Sequence, residues 1–156
     1  MLPRTARDWV HVGPEALDVV AIDTWAMRDS CGALVTFCGA VRVSSSTGND
    51  IIALEYDTDD GLAVSRIAEV IAEARSRWPQ VEAVAVHHRT GRVELGGVTV
   101  VVAVSSPHRR EAFDAAQYCI DTVKATVPMW KREIWEGGSI WSQEAAPITS
   151  VKDHPA

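Results

Sequence analysis

Lysine is scarce in this chain: Lys124, Lys131 and Lys152 stand against twelve arginines in 156 residues. Arginine stays charged at any accessible pH, whereas an amine can lose its proton and act as a base or nucleophile. Arginine is thus the general-purpose cation here, and two lysines seven residues apart in "VKATVPMWKREIW" (123–135) raise a chemical question. Cysteine is equally rare. Cys31, Cys38 and Cys119 are odd in number and lack the close CxxC spacing of zinc or redox centres, so we expect small buried hydrophobes, with a reactive thiol as the alternative, and no metal site. Walker loop, Rossmann glycine fingerprint, HExxH and GxSxG are all missing, which removes the common nucleotide, zinc-protease and serine-hydrolase signatures and leaves no cofactor implied. The longest purely apolar run, "VVVAV", is far short of the ~20 residues a membrane span needs. The first twenty residues carry Asp8 and Glu15 and no apolar h-region, unlike a secretory signal, so a soluble cytoplasmic protein is expected. A net charge of -6 repels nucleic acid unless a local basic patch overrides it.

What is present reads as one domain of average composition, 47% hydrophobic and 23% charged. "DWVHV" suggests a short strand, "LDVVAIDTWAMRDS" a short helix, and "ALVTFCGAVR" a strand in which Gly39 marks a bulge or a close approach. "IIALEYD" is a further strand. In "LAVSRIAEVIAEARSRW", Ala63, Ile67, Val70, Ile71, Ala74 and Trp78 share one helical face. "VEAVAVHHRTGRVEL" turns at Thr90-Gly91, and "GGVTVVVAVSS" is a more buried strand. Ser106 as N-cap and Pro107 at the first helical position open a long helix with Phe113, Ala116, Ile120 and Val123 on one face, stopped by Pro128. "MWKREIW" and "SIW" form a hairpin across "EGG", and residues 143–156 read as a mobile tail. Strands mixed with two substantial helices in this order predict an α+β domain.

The polar residues that stand out are basic. Arg42 ends a strand near Gly39, His88 and Arg89 precede a turn, and His108, Arg109 and Arg110 open a helix, where backbone N–H groups favour an anion. Each also has an ordinary reading: Arg42 as a solvated charge, His88 and Arg89 as turn-flanking surface residues or members of a structural hydrogen-bond network, Arg110 as an i,i+4 partner of Asp114, and Lys124 as an i,i+3 partner of Asp121. Lys131 and Glu133 share one face of their strand, so the carboxylate can orient the amine or merely neutralise it. Trp130, Trp135 and Trp141 read first as core or interface anchors. None of this by itself identifies a reaction.

Together, however, "GALVTFCGAVR", "HHRTGRVELGG", "HRREAFDAAQYCIDTVK" and "VPMWKRE" resemble the large, catalytic subunit of molybdopterin synthase, from about residue 8 to residue 142. The resemblance implies an α/β hammerhead fold with extra antiparallel strands. It implies a sulfurtransferase that converts cyclic pyranopterin monophosphate to the dithiolene of molybdopterin. Sulfur arrives as a thiocarboxylate on the C-terminal Gly-Gly of a small ubiquitin-like partner, and two catalytic chains form a central dimer with a small subunit at each end. Carried over by motif, Lys124 and Lys131 are the catalytic lysines. Arg42, His108 and Arg109 line the substrate pocket, Phe37 stands on its apolar wall, and Glu133 accompanies Lys131. Guanidinium and imidazolium suit a substrate phosphate, and amines suit the proton transfers of sulfur delivery. Ile120 takes a position where the family is known to place methionine, and a basic residue found in some members after the last tryptophan has no counterpart beyond Trp141.

Helix length adds a constraint. His108 and Lys124 are sixteen residues apart on one expected helix, roughly 24 Å at 1.5 Å per residue, too far for one small pocket. Each site should therefore be composite, with His108 and Arg109 of one chain facing Lys124 and Lys131 of the other. Two rival readings of the basic residues remain at this stage. One is a non-catalytic module that binds a phosphorylated small molecule or a protein tail; the other is a lysine Schiff-base enzyme.

Overall fold

In the computed structural model, which describes residues 4–142 and 149–155, two four-stranded sheets carry the chain. The first is mixed, in the order β1 (Asp8–Gly13), β4 (Ala83–Arg89), β6 (Val98–Ser106), β2 (Ala33–Ala40), with β1 and β4 parallel and the other neighbours antiparallel. The second is antiparallel throughout, in the order β5 (Gly91–Glu94), β3 (Ile51–Asp57), β7 (Trp130–Trp135), β8 (Gly138–Trp141). With helices α1 (Val19–Ala26), α2 (Asp60–Arg77) and α3 (Arg109–Thr126), this is the expected α+β fold: two main helices, and the extra antiparallel strands gathered in a sheet of their own.

Both faces of the first sheet are covered, which explains the nearly unbroken apolar runs of β4 and β6. Alternation along β4 sends Val84 and Val86 into the large core with α2 and α3, and Ala83 and Ala85 into a smaller core with Ile22, Trp25 and Ala26 of α1. Asp18 and Asp59 begin α1 and α2 by accepting the Ala21 and Leu62 N–H groups at 2.9 and 2.8 Å. Gly39 is the bulge: the β2–β6 register shifts between Gly39 and Ala40, and a Cβ at Gly39 would lie 2.7 Å from a Val100 methyl. At Thr90 the chain leaves one sheet for the other, and Gly91 takes φ 71° to make the change.

Four expectations need correction. Ser106 does not cap α3: it still pairs with Ala33 in the β2–β6 ladder, and the Pro107 carbonyl accepts from Gly32 N–H. The helix therefore begins two residues later than expected, at Arg109, and His108 becomes the cap residue without a side-chain capping bond. Phe113 is 61% exposed, because the inward stripe of α3 runs through Ala112, Ala115, Ala116, Cys119, Ile120 and Val123. Of the cysteines only Cys119 is buried, its thiol pushed up to about 12 by that burial, while Cys38 is exposed and Cys31 half-buried. The last part of the supposed tail is docked: Val151 is buried, its carbonyl accepts from the Tyr118 hydroxyl, and Arg66 and Arg77 donate to the Thr149 and His154 carbonyls at 2.9 Å. Residues 143–148 of that tail lie outside the described residues.

His87 faces the smaller core, edge-on to Trp9 at 4.5 Å and 5.5 Å from the His11 ring, whose Nε2 pairs with Glu15. Its Nε2 is buried with no partner among the described residues. Burial first, then His11, lowers its pKa from 6.5 to about 4. Between those values the unfolded chain binds a proton that the folded chain refuses. Stability is therefore complete above pH 6.5 and falls as pH drops toward 4, by roughly 3 kcal/mol in all. Urea unfolding from pH 7.5 to 4.5 should show this loss, and His87→Gln should flatten it; an equal slope in the variant would refute the assignment.

Candidate active site

The two sheets meet where α3 ends, and there the two lysines converge. Lys124 lies exposed in the last turn of α3, the helix end that favours a cation. The chain then turns through Pro128, whose carbonyl accepts from Thr58 Oγ1 at 2.5 Å, and β7 returns Lys131 opposite Tyr56 of β3. Lys124 and Lys131 line one cavity of about 350 Å³ together with Tyr56, His88, Thr99 and Ile120. No carboxylate among the described residues lies within ion-pair distance of Lys124, so the Asp121 pairing is not formed, whereas Arg110 and Asp114 do pair, at 3.9 Å.

Glu133 sits two residues beyond Lys131 on the same face of β7. Its Oε1 is 3.8 Å from Lys131 Nζ, and its Oε2 accepts from Ser46 Oγ at 3.2 Å. At 6% exposure a carboxylate needs such compensation. Here the buried carboxylate orients the amine from below, while Lys131 stays partly open. Ser46, Glu133, Lys131 and Trp141 border a smaller depression of about 250 Å³ that shares Lys131 with the cavity.

The other residues carried over by motif lie elsewhere on this chain. Phe37 lines a separate, mostly apolar depression with Phe113, and Ile120 reaches both that depression and the lysine cavity. Arg42 is exposed just past the bulge, outside the cavity lining. His108 and Arg109 are exposed at the opposite end of α3, roughly 24 Å of helix from Lys124. Trp130 and Trp141 are nearly half exposed on the second sheet. No group of three or more His, Cys, Asp or Glu able to hold a metal occurs among the described residues.

Reading the sequence alone missed Tyr56 and Thr99 of the cavity wall, and it named His88 as a basic residue before a turn without seeing its depth. For His88 a signal existed. Counting by two from Val84 and Val86 places it on the face of the large core, not on the surface. It is buried, and its ring meets Tyr56 edge-on at 5.0 Å. Its Nδ1 is 2.9 Å from the Arg89 carbonyl. A carbonyl only accepts, so Nδ1 carries the proton and Nε2 has the lone pair. Burial lowers the His88 pKa, opposed by the bond to Arg89 and assisted by the charge of Lys124; burial likewise raises that of Tyr56. The imidazole is accordingly neutral at ordinary pH.

A family model described as MoaE protein matches residues 12–126 of this sequence. The chain belongs to the MoaE family. This MoaE-family chain is 37% identical over 137 residues to a molybdopterin synthase catalytic subunit from Taeniopygia guttata, covering 88% of each. Among solved structures, it superposes on molybdopterin synthase from Staphylococcus aureus with a TM-score of 0.80 at 33% identity, covering 86% of this chain and 96% of the other. The fold recurs at TM-score 0.70 and 22% identity in a Helicobacter pylori complex of subunits 1 and 2 of molybdopterin-converting factor, covering 88% of this chain and 90% of that one. The four quoted motifs that carry the resemblance therefore belong to a MoaE chain whose lysine cavity is set at the junction of its sheets.

Proposed function

We propose that this chain is the catalytic subunit of a molybdopterin synthase. It transfers sulfur from the C-terminal thiocarboxylate of a small ubiquitin-like subunit to cyclic pyranopterin monophosphate and so forms the molybdopterin dithiolene. The observation that carries this reading is the convergence of Lys124 and Lys131, two of three lysines in the chain, on one cavity from separate elements. In this reading residues 1–156 act as one domain in the cytoplasm. No helix among the described residues is long and apolar enough to cross a membrane.

The site is composite. Lys124 and Lys131 act on the reacting carbons, oriented in part by Glu133, while His108 and Arg109 of a second copy, with Arg42, hold the phosphate, and Phe37 packs against the pterin. Support comes from the length of α3, which keeps His108 and Lys124 of one chain apart. A small-subunit partner is supported by the shared fold with the Helicobacter pylori two-subunit complex. Mixing the protein with a thiocarboxylated small subunit and the cyclic phosphate should yield dithiolene. Tight binding without product would reduce the protein to a binding module, and borohydride trapping of substrate on Lys124 would make it a Schiff-base enzyme instead.

A further inference from the structure

Sulfur delivery from a thiocarboxylate has a second half. Once the sulfur has bonded to a pterin carbon, it bridges that carbon and the acyl carbon of the carrier. Freeing it requires water: the water oxygen bonds to the acyl carbon, the C–S bond breaks, and its electron pair stays on sulfur as the pterin thiolate. The carrier leaves as a carboxylate. Of the two protons of water, one must be taken up as oxygen attacks, and the other is lost to solvent when the carboxylic acid ionises. No oxidant or reductant is involved. The group that takes the first proton has to be neutral, inside the cavity, and fixed with a free lone pair.

We propose that His88 is the general base for this hydrolysis, receiving the proton of the attacking water on Nε2. The assignment rests on the function proposed above. His88 lines the same cavity as both lysines. Its Nδ1–H is committed to the Arg89 carbonyl, which fixes both tautomer and ring plane. Nε2 makes no hydrogen bond with the described residues and, unlike Nε2 of His87, is not sealed from solvent. Tyr56 from β3 meets the ring edge-on, and the charged groups that line the cavity with it are Lys124 from α3 and Lys131 from β7, while β6 supplies the uncharged Thr99 and Val100. Burial and the Lys124 charge both disfavour imidazolium, so the lone pair stays available when the solution is mildly acidic. The same burial makes a proton gained there easy to pass on to the departing thiolate or to solvent.

Two variants separate this role from a structural one. In His88→Asn the side-chain amide still donates to the Arg89 carbonyl, and in His88→Gln an acceptor remains near the position of Nε2 without the proton affinity. Both are expected to melt and bind the small subunit as the native protein does. Both should lose roughly 100-fold in turnover. In a single turnover followed by intact mass, both should accumulate the carrier–pterin thioester conjugate. In the native protein, acidification should slow conjugate hydrolysis but not conjugate formation, and this acid limb should vanish in both variants. Native turnover in His88→Asn, slow turnover without conjugate, recovery by His88→Gln, or an unchanged acid limb would each overturn the proposal. Native protein that forms neither conjugate nor product would overturn the sulfur-transfer function as well, a failure visible without any variant.

Discussion

Lys124→Ala is expected to lower dithiolene formation by roughly 1,000-fold while leaving the fold intact, within the range that removal of a positioned proton-transfer group produces. The fold should survive because Lys124 is exposed and forms no ion pair among the described residues, so its loss strands no buried charge. Lys124→Arg is the sharper variant. It keeps the cation at the C-terminal end of α3, but a guanidinium does not surrender its proton, so activity should stay near the Ala level. Lys131→Ala should cost less, about 10- to 100-fold, if its part is to assist proton transfer or to position the pterin. It should also loosen Glu133, whose buried carboxylate would then keep, among the described residues, Ser46 as its side-chain partner. Steady-state synthesis at native rates by Lys124→Ala and Lys131→Ala would remove the lysines from the mechanism.

Complementation between two inactive chains is the second large effect. Lys124→Ala and Arg109→Ala homodimers should each be nearly inactive. A dimer containing one chain of each type has one site with both lesions and one with neither, so it should recover about half the native rate per dimer. The expectation follows from the 18-residue length of α3, which places His108 and Arg109 at one end and Lys124 at the other. Tagged co-expression and tandem purification would isolate the mixed dimer. Complete inactivity of that species, with native subunit binding, would show that each chain works alone.

Much of this arrangement was legible in the sequence, and what was not has physical causes. β3 was read at its full length because β-branched and aromatic residues sit between clear turn signals, and the inward face of α2 followed from its 3.6-residue period, with only Trp78 left partly buried. The start of α3 was misplaced because a Ser-Pro pair signals a cap locally, whereas the β2–β6 ladder holds Ser106 in the strand and the Gly32 bond ties down the Pro107 carbonyl. Phe113 looked like a core residue because hydrophobicity does not say which side of a helix the sheet covers. At the site, the lysines were conspicuous through scarcity, but His88 was hidden by its apparent place beside a turn. Its depth comes from the second sheet, whose Tyr56 closes over it, and no local pattern announces a contact between elements 32 residues apart in sequence.

The change of sheets at Thr90-Gly91 has a mechanical corollary. Lys124 rides on a helix packed against the first sheet, and Lys131 belongs to the second. The gap between the two amines is therefore set by how the two sheets sit against each other, not by either sheet alone. Gly91, with φ 71°, lies in the connection between them. A side chain at Gly91 would strain that connection while changing no residue of the cavity lining.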